Sequence, residues 1–184
     1  MMSPTTFPQS LNARHILLTG VTGVLGGRLL KEILEKTDAV LYCLVRGENE
    51  AQARTRLLRF FNTYDPDGSL SDAFRDRVRI YAGDVTREHL GLPLSDYEGL
   101  AARVEATIHM AALTKLVTFY GAAASANVDG TTNIIDFALR TPQRYLCYVS
   151  SISVMGDKAF DVRCSFSEAD FDLGQKFHGL PYQK

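Results

Sequence analysis

Short apolar runs alternate along this chain with stretches whose apolar and charged positions follow a helical period. Residues 15–19 (HILLT) read as a strand buried on both faces that feeds directly into Gly20. Beyond the glycines, Leu25, Leu29, Leu30, Ile33 and Leu34 recur at helical spacing, while Arg28, Lys31, Glu32, Glu35 and Lys36 take the other face. The alternation repeats with a strand at 39–45 and a helix at 50–62 that turns Leu57, Leu58 and Phe61 inward. Asp65, Pro66, Asp67 and Gly68 then predict a turn, residues 70–75 a short helix and residues 78–82 a strand. A loop, a strand at 104–110, a helix at 128–139 and a strand at 144–150 complete the series. Strands alternating with helices imply an α/β architecture, a doubly wound parallel sheet covered on both faces. Residues 1–13, rich in Ser, Thr and Pro and without periodicity, are expected to be a flexible lead-in to a domain spanning 14–184. No regular element is predicted over 156–181.

Composition narrows the partners more than the fold. With 184 residues and 46% hydrophobic content the chain can bury one sizeable core. Lys and Arg number 20 against 21 Asp and Glu, so neither nucleic acid nor an anionic membrane meets a basic footprint, and small molecules are the expected partners. Cys43, Cys147 and Cys164 are an odd number without metal-ligand spacing, which predicts reduced thiols, no metal site and a cytoplasmic protein. No stretch reaches the roughly 18 apolar residues of a membrane span, and the first residues lack a signal peptide's apolar core.

The chemistry begins between the first strand and its helix. Gly20, Gly23 and Gly26 stand at i, i+3 and i+6 where a phosphate-binding turn belongs. The backbone of Gly20, Thr22, Gly23, Val24, Leu25 and Gly26 is expected to approach a pyrophosphate, whose charge the helix N-terminus stabilises. An acidic residue roughly 20 positions beyond such glycines holds the ribose hydroxyls of NAD. Here that position, after the second strand, is Arg46, whose guanidinium suits a 2′-phosphate and predicts NADP(H) as cofactor. Arg56, at the following helix, is a candidate second phosphate clamp.

This glycine spacing resembles that of the extended short-chain dehydrogenases. By that resemblance, Gly83-Asp84-Val85 is the stretch whose Asp84 side chain and Val85 amide face the adenine. His109-Met-Ala111-Ala112 is similar to the small-residue turn beside the nicotinamide ribose, and Asn127 to Thr131 resemble the helix start that braces the sheet near the active site. The stretch Ser150-Ser151-Ile-Ser-Val-Met-Gly156 resembles the superfamily's S-S-x-x-V-x-G. Ser151 is thereby implied as the catalytic hydroxyl, donating to a carbonyl oxygen as negative charge builds. The family's Tyr, with a Lys four residues on to lower the phenol's pKa, is matched by Tyr182. Its lysine would be residue 186, beyond Lys184, which at i+2 does not share the helical face. The stretch as it stands is therefore expected to be catalytically inactive.

The wording LTGVTGVLGGRLLKEIL, YCLVRG with AQARTRL, GDVTREHLGL, HMAA and NVDGT looks most like the thioester reductase branch. That branch holds the terminal reductase domains of nonribosomal peptide and polyketide synthases, the reductase domain of carboxylic acid reductases and, more distantly, fatty acyl-CoA reductases. The resemblance implies NADPH-dependent reduction of an acyl thioester, carried on an acyl or peptidyl carrier protein or on coenzyme A, to an aldehyde or alcohol. The family usually has Thr where Ser151 stands, and its C-terminal substrate region lies beyond Lys184. A sheet ending there is expected to expose apolar edge surface and to be marginally stable or self-associating. Two other readings compete. One is a nucleotide-sugar epimerase or dehydratase, or a hydroxysteroid-type dehydrogenase; the other is a nonenzymatic NADP-binding sensor.

Overall fold

The computed structural model describes residues 13–114, 120–160, 167 and 174–176. Its elements run β1 (His15–Thr19), α1 (Val24–Lys36), β2 (Val40–Val45), α2 (Glu50–Phe61), α3 (Ser71–Arg77), β3 (Val78–Ala82), α4 (Leu94–Ala101), β4 (Ala106–His109), α5 (Tyr120–Ala124), α6 (Gly130–Arg140) and β5 (Tyr145–Tyr148). The five strands form one parallel sheet in the order β3-β2-β1-β4-β5. Chain order reverses between β1 and β4, the place where open α/β sheets leave a ligand crevice at the carboxyl ends of their strands.

Alternate residues of each central strand go to opposite faces, and both faces are dry. Ile16 and Leu18 of β1, with Leu41, Cys43 and Val45 of β2, pack under α1, α2 and α3 against Leu30, Ile33, Leu57, Phe61 and Phe74. Leu17, Tyr42 and Leu44 point the other way, to Tyr97 and Leu100 of α4 and Ile134 and Phe137 of α6. This two-sided burial is why the strands read as continuous apolar runs rather than alternating ones.

The expected helix over the glycines is present, but Leu25 is 54% exposed at its first turn, so the buried stripe begins at Leu30. The salt bridges Arg28–Glu32 and Lys31–Glu35 lie along its solvent side. Two expectations need correction. The segment read as a loop contains α4, an eight-residue helix behind Pro93 whose Tyr97, Leu100 and Ala101 close the second core; it is too short for its apolar period to stand out. The segment expected to lack regular structure beyond residue 156 opens inside a 3₁₀ stretch, Ile152–Phe160, kinked at Gly156, where φ is 54°. The expected helix start near Val128 is instead the middle of a π-helical turn, Ser125–Asp129, that joins α5 to α6.

Candidate active site

The turn between β1 and α1 is shaped by what it must approach. Gly20 has φ of 74°, and a Cβ there would lie 2.6 Å from the Met110 carbonyl carbon and 2.7 Å from the Ala111 nitrogen. Only glycine accommodates both the left-handed backbone and that contact with the end of β4. Gly26 is excluded from any side chain by the turn itself, since its Cβ would stand 2.2 Å from the Gly20 oxygen. Gly23 caps α1 without a side-chain hydrogen bond, and no acidic residue occupies the first turn. The positive end of a 13-residue helix is thus left without a negative group of the chain's own, an arrangement that suits a bound phosphate.

A cleft of about 480 Å³ opens over this turn at the carboxyl ends of β1, β2, β3 and β4. Its floor is Thr19, Gly20, Thr22 and Gly23. One wall carries Arg46, Arg56, Asp84 and Val85, and the other Met110, Ala111, Ala112 and Leu113. Nine of the residues singled out from sequence therefore meet in one cavity: Gly20, Thr22 and Gly23; Arg46 and Arg56; Asp84 and Val85; Ala111 and Ala112. Val24 and Leu25 stand off it, exposed at the start of α1, and Gly26 acts from behind through the turn. Ser151 lies past the end of β5, outside the residues lining the cleft; its Oγ accepts from the Ser153 amide at 3.2 Å, so its proton is left to donate. Tyr182 lies outside the described residues.

Local structure aims the two arginines. The Asn49 side chain caps α2 by accepting from the Gln52 amide at 2.9 Å, and the Gln52 side chain returns to the Glu48 amide at 2.8 Å. Gly47 lets that loop lie against Ala53, whose nitrogen would be 2.8 Å from a Cβ. Arg56 reaches back to the Arg46 carbonyl at 3.5 Å, which brings the two side chains to the same wall. Among the described residues neither guanidinium has a carboxylate within ion-pair distance. Asp84 Oδ1 accepts from the amide and hydroxyl of Thr86, at 3.0 and 2.9 Å. The turn beneath it is strained, with His89 and Leu90 both at positive φ, and its Leu90 carbonyl accepts from the Asp84 amide at 2.8 Å.

Several residues that position the site were not singled out from the sequence. Asn133 of α6 donates to the Val85 carbonyl at 2.8 Å and so fixes the wall that carries Asp84. Asn127 both accepts from the Leu113 amide at 2.7 Å and donates to its carbonyl at 3.1 Å, which is how the helix braces the opposite wall. Tyr64 lays its ring on Gly27 and donates to the Val24 carbonyl at 2.9 Å. These are polar side chains acting across 14 to 48 residues of sequence, and no local pattern marks them. Thr19 and His109 form a buried pair at 2.7 Å, and burial pushes the imidazole from its ordinary 6.5 down to about 4, so it is neutral.

A parallel sheet of this order, with a glycine turn entering an uncapped helix at its switch point, defines a Rossmann-type dinucleotide-binding domain of the short-chain reductase class. The chain belongs to the NAD-binding family described as male sterility protein, whose pattern matches residues 18–176, and the cofactor class is accordingly a nicotinamide dinucleotide. Over 154 residues it is 34% identical to part of the linear gramicidin synthase of Brevibacillus parabrevis, covering 84% of this chain and 3% of that one. It is 36% identical over 148 residues to a carboxylic acid reductase of Mycobacterium marinum, covering 77% of this chain and 12% of the enzyme. Among solved structures it resembles the terminal R domain from the myxalamid PKS-NRPS biosynthetic pathway, with 36% identity and a TM-score of 0.69, over 81% of this chain and 37% of that one. The chain therefore spans a small part of the length of the proteins it matches, and the family is one of reductases with the thioester reductase domains among its members.

Proposed function

We propose that this chain is the cofactor-binding part of an NADPH-dependent reductase that converts an acyl thioester, held on a carrier protein or on coenzyme A, to an aldehyde or alcohol. The observation that carries the reading is the pair Arg46 and Arg56 on one wall of the cleft, without a carboxylate partner among the described residues, beside an uncapped helix N-terminus. Two unpaired guanidiniums suit the 2′-phosphate of NADPH, whereas the ribose hydroxyls of NADH call for an acidic residue.

In this reading the amides of the glycine turn, through Gly20, Thr22 and Gly23, hold the pyrophosphate, with Val24, Leu25 and Gly26 setting the first helical turn behind them. Asp84 and the Val85 amide face the adenine, and Ala111 and Ala112 leave room for the nicotinamide ribose. The cofactor, when bound, supplies a hydride to the thioester carbon. Ser151, its proton available, and Tyr182 donate to the carbonyl oxygen as it gains negative charge, and the carbon–sulfur bond then breaks to release the thiol. The carrier-bound substrate follows from the relatives, which include a linear gramicidin synthase and a carboxylic acid reductase.

Fluorescence titration with NADPH and NADH, on the wild type and on Arg46→Ala, tests this. The wild type is expected to prefer NADPH, and the variant to lose about tenfold to a hundredfold in NADPH affinity, the worth of one or two charge-assisted hydrogen bonds, with NADH unchanged. Equal affinity for both cofactors in the wild type would refute the assignment of Arg46.

A further inference from the structure

The Thr19–His109 pair extends on both sides, and its protons can be assigned one by one. Thr131 of α6 donates its hydroxyl proton to the Asn127 carbonyl at 2.7 Å, so at 3.3 Å from His109 Nε2 its oxygen acts as an acceptor and the imidazole carries its proton on Nε2. His109 Nδ1 is then the acceptor, and the Thr19 hydroxyl, 2.7 Å away, donates to it. With its proton so committed, the Thr19 oxygen presents its lone pairs to the Met110 and Ala111 amides, each at 3.2 Å. The other tautomer fails this accounting, because a proton on Nδ1 would compete with both amides for one oxygen.

Resting on the cofactor reading of the cleft, we propose that His109 is a positioning residue: as the Nε2-protonated tautomer it orients Thr19, and Thr19 holds the Met110–Ala111 wall against Gly20 in the shape that the nicotinamide half of the dinucleotide requires. Thr19, Met110 and Ala111 all line the cleft, whereas His109 is wholly buried beneath it and touches no ligand position itself. Its ring stacks on that of Tyr148, centroids 5.6 Å apart, and its carbonyl accepts from the Val149 amide at 2.9 Å. The imidazole thereby links β1, β4, β5 and α6 under one wall of the site. The opposite wall, with Arg46, Arg56 and Asp84, makes no contact with this network.

The separation of the two walls supplies the test. In the full chain, Thr131→Val removes the Nε2 acceptor without touching the core ring, and His109→Phe removes both hydrogen bonds; His109→Gln keeps an acceptor and a donor. Affinity is measured for NADPH and for adenosine 2′,5′-bisphosphate, which reaches only the arginine wall. Expected is a loss of about tenfold for NADPH in Thr131→Val and His109→Phe, partial recovery in His109→Gln, and adenosine bisphosphate affinity held within about twofold throughout. Equal losses for both ligands, or no loss for either, would overturn the positioning role while leaving the cofactor site intact. Binding of neither ligand by the wild type would overturn the cleft reading and this inference with it. Independently of any ligand and any variant, long-range nitrogen–proton NMR correlations of the His109 ring report which nitrogen is protonated; a proton on Nδ1 overturns the proposal.

Discussion

The buried imidazole makes a quantitative demand on stability. His109 is fully excluded from solvent, and burial lowers its pKa from 6.5 to about 4. Between those values the unfolded chain binds a proton that the folded chain refuses, so stability rises with pH. The contribution is fully present above about pH 6.5 and is lost as the pH falls toward 4. Its full size is at most about 3 kcal/mol, from roughly 1.4 kcal/mol for each unit of pKa difference, and about 2 kcal/mol of it disappears between pH 7 and pH 5. Urea unfolding followed by circular dichroism at pH 7, 6 and 5 reads this directly when wild type is compared with His109→Gln, whose amide does not titrate. The exposed carboxylates Glu32 and Asp67, both held below their usual range by local hydrogen bonds, titrate alike in the two proteins and cancel in the comparison. The wild type should lose about 2 kcal/mol more than the variant over this interval. Parallel losses would show that the imidazole is not the buried neutral base described, and the argument from its desolvation would fall.

Other perturbations follow from the same contacts. Gly20→Ala combines a side chain at positive φ with a 2.6 Å clash against the Met110 backbone, and should cost about 3 kcal/mol or more in unfolding free energy along with dinucleotide binding. Retained NADPH affinity in that variant would refute the close approach of β1 and β4. Thr107 on β4 is wholly buried with no hydrogen-bond partner for its hydroxyl, so the isosteric Thr107→Val should stabilise the fold by about 1 kcal/mol, seen as a raised Tm; a lower Tm would reveal an unrecognised partner. Burial pushes the Cys43 thiol up to about 12, while Cys147 is exposed on β5. Peptide mapping after brief alkylation of the native protein should therefore find Cys147 modified and Cys43 untouched, and early labelling of Cys43 would contradict its place in the core.

The sequence by itself determined the order of elements and the two-faced parallel sheet, because strands buried on both sides appear as apolar runs and the helices between them keep a clear 3.6-residue stripe. It also marked the glycine turn and Arg46, since a backbone that must approach a phosphate excludes Cβ atoms and a 2′-phosphate calls for a guanidinium at a set distance along the chain. It did not show α4, whose eight residues make too few turns for a period to emerge, nor the π-helical turn ahead of α6, which depends on how Asn127 meets Leu113. Only the tertiary structure decided that Val24 and Leu25 face solvent and that Arg56 joins Arg46 on one wall. It alone set a neutral His109 between Thr19 and Thr131 under the cleft. The physical reason is distance along the chain: propensity and periodicity are read from neighbours, whereas Thr19 meets its imidazole across 90 residues, a contact fixed by sheet order.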